Sequence, residues 1–255
     1  MEIDMLKAKK AFNEYVKNYN IEDSKVQLKI KHTYKVVENS ERIAKRLKLS
    51  EEEQRLAQLI ALLHDIGRFE QLRKYNTFVD KMSVNHAIQG VEVLFEENNI
   101  RNFIETDKYD QIIKTAILNH NKPDIENGLD EKTKLQAEII RDSDKLDIFR
   151  VILEVKPEDS MTIKTEDIEN EQVTDEIYNQ FMNKEKIDYS KIKTNMDIMF
   201  SWFAYSYDLN FKESKQYIIE NNYMDRITEI IRYKNTETKK RIEKGREKAK
   251  EYLEQ

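Results

Sequence analysis

The chain contains no cysteine, and only two prolines and four glycines among 255 residues. Without cysteine there is no disulfide scaffold, no thiolate zinc site and no cysteine nucleophile, and the composition suits a reducing cytoplasm, the expected location. Average usage would give a chain of this length roughly 18 glycines and 13 prolines, so the turn-formers that a many-stranded β architecture needs are missing. No run of eighteen apolar residues occurs, and the N-terminus, MEIDMLKAKKAFNEYVKNY, lacks an apolar stretch of signal-peptide type, so no membrane association is expected. The net charge of −5 offers no positive field to gather phosphate backbones. Extended nucleic acid is therefore not expected as a partner, and any anion must be read by local basic groups.

What is present is helix-forming. Apolar residues make up 39% of the chain, enough for a core. Asp23 and Ser24 are placed to cap a segment in which Leu28, His32, Val36, Ile43 and Leu47 fall near one stripe at a period of about 3.6. Ser50-Glu51-Glu52-Glu53 reads as a capping box opening a helix with Leu56, Leu59, Ile60 and Leu63 inward. Gly67 is placed to end that helix, which puts His64 and Asp65 in its last turn. Arg68 to Asp80 reads as an exposed stretch. Ser83 is the expected cap of a helix containing His86, Gly90, Val93 and Leu94, and Thr106 precedes another with Ile113, Ala116, Ile117 and His120, closed by Lys122-Pro123.

Residues 132 to 154 carry apolar groups on two sides, which predicts a deeply buried helix. Residues 156 to 190 are polar and read as loop with short helices, suitably placed to form a lid. Ile198 to Tyr205 is dense in aromatics and is expected to pack as a core helix, whereas TETKKRIEKGREKAKEYLEQ reads as a solvated helix touching the body through Ile242 and Leu253. No repeat, heptad seam or Gly/Ser linker is visible. The expectation is a single all-α domain over residues 1–255, a helical bundle with additional C-terminal helices.

The four histidines, His32, His64, His86 and His120, fall on four different predicted helices, each on or beside an apolar stripe. Taken singly, each reads most simply as a hydrogen-bonded core residue. Together with Asp65 beside His64, and with the later run Asp142-Ser143-Asp144-Lys145-Leu146-Asp147, they offer imidazole and carboxylate ligands. Such a set suits one or two divalent ions of Mn, Fe, Co, Ni or Zn, with Mg a further candidate, and a site supplied by several helices leaves positions open for water and substrate.

In this order of residues the chain resembles the HD superfamily of metal-dependent phosphohydrolases. The family's pattern is a His, a His-Asp doublet and a distant Asp followed by a basic residue, matched here by His32, His64-Asp65 in LLHDIGRFE and Asp144 in DSDKLD. The resemblance spans about residues 25–153, leaving residues 154–255 as a helical extension. Asp142 rivals Asp144, but Asp144 precedes Lys145 and shares a stripe with Ile140 and Ile148. His86 and His120 match a subset of the superfamily that holds two metals, so the implied ligand set is His32, His64, Asp65, His86, His120 and Asp144. Asn121 follows His120 where the HD-GYP branch has a second His, and no GYP signature is present, which speaks against cyclic dinucleotide cleavage.

The resemblance implies a hydrolase in which a metal-activated water attacks a phosphoester of a small phosphorylated metabolite, with a nucleotide the favoured class. Asp65, His86, His120 and Lys145 are the implied catalytic residues, His86 or His120 protonating the leaving oxygen if one ion binds. Arg68, Lys122 and Lys145 adjoin proposed ligands and are the candidate phosphate-binding cations, although each equally suits a helix-end cation. Two other outcomes fit the same ligand set: an HD-fold di-iron oxygenase, and a nucleotide- or metal-binding module without turnover. A homo-oligomer is compatible with the sequence.

Overall fold

The computed structural model describes residues 2–154 and 165–255, and all regular structure among them is helical. No helix of the described residues is long and apolar enough to cross a membrane. The chain divides into two compact units, the first ending at Asp147 and the second running Ile148–Gln255.

In the first unit α1 (Met5–Val16) starts at Asp4, whose carboxylate accepts from the Leu6 and Lys7 amides. Asp23 caps α2 (Ser24–Arg46) in the same way, satisfying one of the amides that a helix N-terminus leaves without a partner. The reciprocal capping box of Ser50 and Glu53 opens α3 (Glu51–Leu63).

The next helices depart from expectation. Gly67 does not end α3. That helix stops at Leu63, and Gly67 lies in the first turn of a new helix, α4 (Ile66–Tyr75), which buries Phe69, Glu70, Gln71 and Leu72 in the stretch expected to be exposed. The glycine is required for closeness rather than for turning, because a Cβ on Gly67 would collide with the His86 carbonyl and the Gly90 amide of α5 (His86–Val91). Asn85, not Ser83, caps α5, accepting from the Ala87 and Ile88 amides. After the short α6 (Ile100–Phe103), α7 (Asp110–His120) ends on the last histidine, and α8 (Glu131–Glu154) carries the acidic run. Phe12, Val36, Leu59, Ile60, Phe69, Ile113 and Ile117 are buried in one apolar core that joins these helices.

The second unit contains α9 (Thr165–Ile168), α10 (Asp175–Met182), α11 (Asn195–Ser201), α12 (Lys212–Glu220), α13 (Tyr223–Thr228) and α14 (Thr236–Leu253). Part of the expected lid, residues 156 to 164, lies outside the described residues. The aromatic stretch is core as expected, but it tightens into a 3₁₀ turn from Trp202 to Asp208. Phe181 and Phe200 meet edge to face at 5.3 Å. Ile242 and Leu253 are buried on the charged α14 as expected, together with Ala249.

Candidate metal centre

All four histidines are in the first unit, and five helices bring them together with two carboxylates. His32 lies within α2, His64 directly follows α3, His86 opens α5 and His120 closes α7. Asp144 comes from α8. Asp65 stands between α3 and α4 with φ −105° and ψ 15°, and although it occupies the N-cap position of α4 its carboxylate makes no capping bond. An aspartate there ordinarily caps; this one is turned to the centre instead.

Each imidazole is fixed through Nδ1. His64 Nδ1 is 2.8 Å from the Ala61 carbonyl and His120 Nδ1 is 2.6 Å from the Ile117 carbonyl. His32 Nδ1 is 2.7 Å from Asp147 Oδ2, and His86 Nδ1 is 2.7 Å from Asp80 Oδ2. Carbonyls and carboxylates only accept, so all four Nδ1 atoms are donors, and in the neutral ring every Nε2 presents a lone pair.

Those lone pairs converge. His86 Nε2 and His120 Nε2 are 3.0 Å apart, too close for two acceptors with nothing positive between them. His64 Nε2 is buried without a hydrogen-bond partner, its nearest carboxylate oxygens being Asp65 Oδ2 at 3.7 Å and Asp144 Oδ1 at 3.8 Å. His32 Nε2 faces Asp144 Oδ1 at 3.1 Å and Asp65 Oδ2 at 3.6 Å.

The Asp65 carboxylate divides the donors. Its Oδ2 looks toward His32 and His64, and its Oδ1 lies 3.5 Å from His86 Nε2 and 3.8 Å from His120 Nε2. Two overlapping groups of donor atoms suited to an ion result, His32, His64 and Asp144, and His64, Asp65 and His120. Donors bonded about 2.1 Å from a common ion lie about 3 to 3.5 Å from one another, and the separations here run from 3.0 to 3.8 Å. The orphaned Nε2, the opposed lone pairs and the mixed imidazole and carboxylate chemistry all fit one or two divalent ions.

The electrostatics keep Asp65, Asp144, His86 and His120 in ligand form. Burial opposes ionisation of Asp65, but Lys29, His64, Arg68 and His86 outweigh it and hold the carboxyl well below its usual range. Burial likewise opposes a charged Asp144, and the nearby His32 and His64 rings bring it well below normal. Burial, with His86 and His64 alongside, pushes His120 down to about 3. Burial also lowers His86 against the pull of Asp80. For His32, burial and Lys29 work against the charged ring, yet Asp144 and Asp147 raise it.

The expected cations are placed differently from one another. Arg68 Nη1 bonds Gln71 Oε1, the Phe78 carbonyl and Asp80 Oδ1 at 2.6 to 2.7 Å, while its Nε is 3.6 Å from Asp65 Oδ1. Lys122 extends to Glu126, 2.8 Å away and 44% exposed. Lys145 is buried beside Asp144 on α8. Asp142 is fully buried, and it is Asp144 that lies with His32 and His64.

Three residues of the centre have roles that the sequence pattern does not assign. Asp147, one turn beyond Asp144 on α8, and Asp80, across a loop from His86, orient two of the imidazoles. Lys29, one turn before His32 on α2, places its Nζ 2.7 Å from Asp65 Oδ2. Helical spacing carried a signal for Asp147 and Lys29; a contact formed across a loop, as at Asp80, has none.

Comparison with known proteins agrees with this geometry. No curated protein and no solved structure matches the chain. Residues 30–148, which include all six donor residues, match the family model of the HD domain. That segment is therefore an HD domain, the domain that the ordered His and Asp residues of the sequence resemble.

Proposed function

We propose that the protein is a divalent-metal-dependent phosphohydrolase acting on a phosphoester of a small phosphorylated metabolite, with a nucleotide the first class to test. The observation that carries this reading is the convergence of four Nε2 lone pairs on the Asp65 and Asp144 carboxylates. His32, His64 and Asp144 would hold one ion, His86 and His120 a second, and Asp65 would span both through its two oxygens. A divalent ion so bound lowers the pKa of water toward neutrality and polarises a phosphoryl oxygen.

The protein's own groups do the rest. Asp147 and Asp80 keep His32 and His86 in the tautomer that directs Nε2 inward. With its pKa lowered to about 3, His120 carries no proton to give at neutral pH, which supports its place as a ligand rather than as the acid for the leaving oxygen. Beside the cluster, the Phe78 ring lies 5.2 Å from Lys29 Nζ and 6.0 Å from the Arg68 guanidinium carbon, giving an organic leaving group an apolar surface to rest on.

The test is chromatographic detection of products from nucleoside mono-, di- and triphosphates, cyclic nucleotides and dinucleoside polyphosphates. Wild type and Asp65→Asn are run with Mn, Fe, Co or Mg, in air and without oxygen. Cleavage by wild type alone, independent of oxygen, is the expected result. A requirement for oxygen would replace this reading with an oxygenase, and binding without product would replace it with a binding module.

A further inference from the structure

We propose that Lys29 is the cation that receives the substrate's phosphoryl group, an inference that rests on the phosphohydrolase reading above. The side chains of His64, His120 and Asp65 are 0%, 2% and 4% exposed, whereas Asp144, Lys29 and Arg68 are 17%, 16% and 15% exposed. With Asp80 at 31%, the more exposed edge of the centre carries two carboxylates and two cations, and an anion arriving there is received by the cations.

The two cations differ in what they have left to offer. Arg68 is committed, its Nη1 serving Gln71, the Phe78 carbonyl and Asp80, which in turn orients His86. Moving that guanidinium to a substrate would release the segment that positions a ligand. Among the described residues Lys29 has one hydrogen-bond partner, Asp65 Oδ2 at 2.7 Å. An ammonium has three donor hydrogens, so two remain for an incoming oxyanion.

Its position is set from both ends. The backbone of Lys29 is one turn from His32 on the same helix, and its Nζ shares Asp65 Oδ2 with the ion-binding face of that carboxylate. A phosphoryl oxygen accepted from Lys29 is consequently held next to the donor cluster, where charge develops as the ester bond breaks. Without substrate the same ammonium neutralises a buried carboxylate, which accounts for its contact with Asp65.

The experiment is calorimetric titration of inorganic phosphate into the full chain loaded with Mn. Lys29→Met is expected to keep its bound Mn and to lose at least ten-fold in phosphate affinity, while Lys29→Arg stays within a few-fold of wild type. Lys29→Gln, which keeps a donor for Asp65 but no charge, is expected to show the same loss and keeps the test readable if the methionine variant does not fold. Lys45→Met, sixteen residues further along α2 and so about 24 Å away, removes an equal charge from a side chain that is 59% exposed and should change nothing.

Unchanged phosphate affinity in both uncharged variants overturns the proposal, as does their loss of Mn, which would reduce Lys29 to a counter-ion. Mn-loaded wild type that binds no phosphate overturns it too. Wild type that holds no Mn would instead overturn the phosphohydrolase reading, and the proposal with it.

Discussion

Asp65 in the first unit and Asp197 in the second are both buried aspartates, and the difference in what surrounds them separates a working site from a structural one. Asp197 is fully buried and saturated by the chain itself: its oxygens accept from the amides of Thr174, Lys193 and Thr194 at 2.7 to 3.3 Å and from the Thr174 hydroxyl at 3.2 Å. It closes a capping box and fixes a helix start. Asp65 also stands at a helix start but caps nothing, and it faces one ammonium, one guanidinium and the Nε2 atoms of four imidazoles. A buried carboxylate satisfied by amides is complete, whereas one facing inward lone pairs is arranged for cations.

This contrast predicts effects of different size. The largest is the response of the metal-free chain to acid. Asp65 and Asp144 titrate below their usual range, and His120 titrates near 3 rather than near 6.5. In each case the unfolded chain binds the proton first, so stability is present above the unfolded pKa and is lost as pH falls through the folded one. His86, lowered by burial, acts with them, and His32 alone acts oppositely, since its pKa is raised. Denaturant melts of metal-free protein should therefore show stability falling steadily from about pH 6.5 downward, and a flat profile over that range would contradict the electrostatic account.

Next come the outer carboxylates. Asp147→Asn and Asp80→Asn should each weaken metal binding by about 10- to 100-fold with the helical signal preserved, read by competition against a chelator. Equal affinity in both variants would show that Nδ1 orientation does not matter here.

Asp197→Ala should do the reverse. Leaving buried amides without an acceptor costs about 1 to 3 kcal/mol, seen as a lowered melting midpoint, while the number of ions bound by the first unit stays the same. A loss of metal in this variant would break the distinction between the two aspartates. The smallest effect is expected for Lys122→Met, whose exposed pair with Glu126 contributes within about 0.5 kcal/mol. A large drop in phosphate affinity there would return Lys122 to the site.

Much of the centre was legible because the chemistry is written in rare residues. Four histidines in 255 positions, ordered around a His-Asp doublet, direct attention to the residues that the fold gathers. Helix starts at Asp23 and Ser50 were equally plain, since both caps are local. What was lost depends on contacts between segments distant in sequence. Gly67 read as a helix terminator because its real constraint, the backbone of α5, lies some twenty residues away in the chain. That misreading concealed α4 and, with it, the burial of Gln71, whose amide bonds Asp80, Ser83 and the Val84 carbonyl and so helps to hold the loop before His86. Lys29 was passed over for the opposite reason. Lysines are common in this chain, and nothing in a one-dimensional pattern marks the one whose ammonium meets Asp65.

The measurement that tests the central claim most directly is the metal content of wild type and Asp65→Asn, purified alike and loaded with Mn before removal of free ion. The account predicts two ions per wild-type chain, and loss of bound metal in a variant that retains its helical signal. Wild type that binds no metal, or Asp65→Asn that holds as much as wild type, would contradict it.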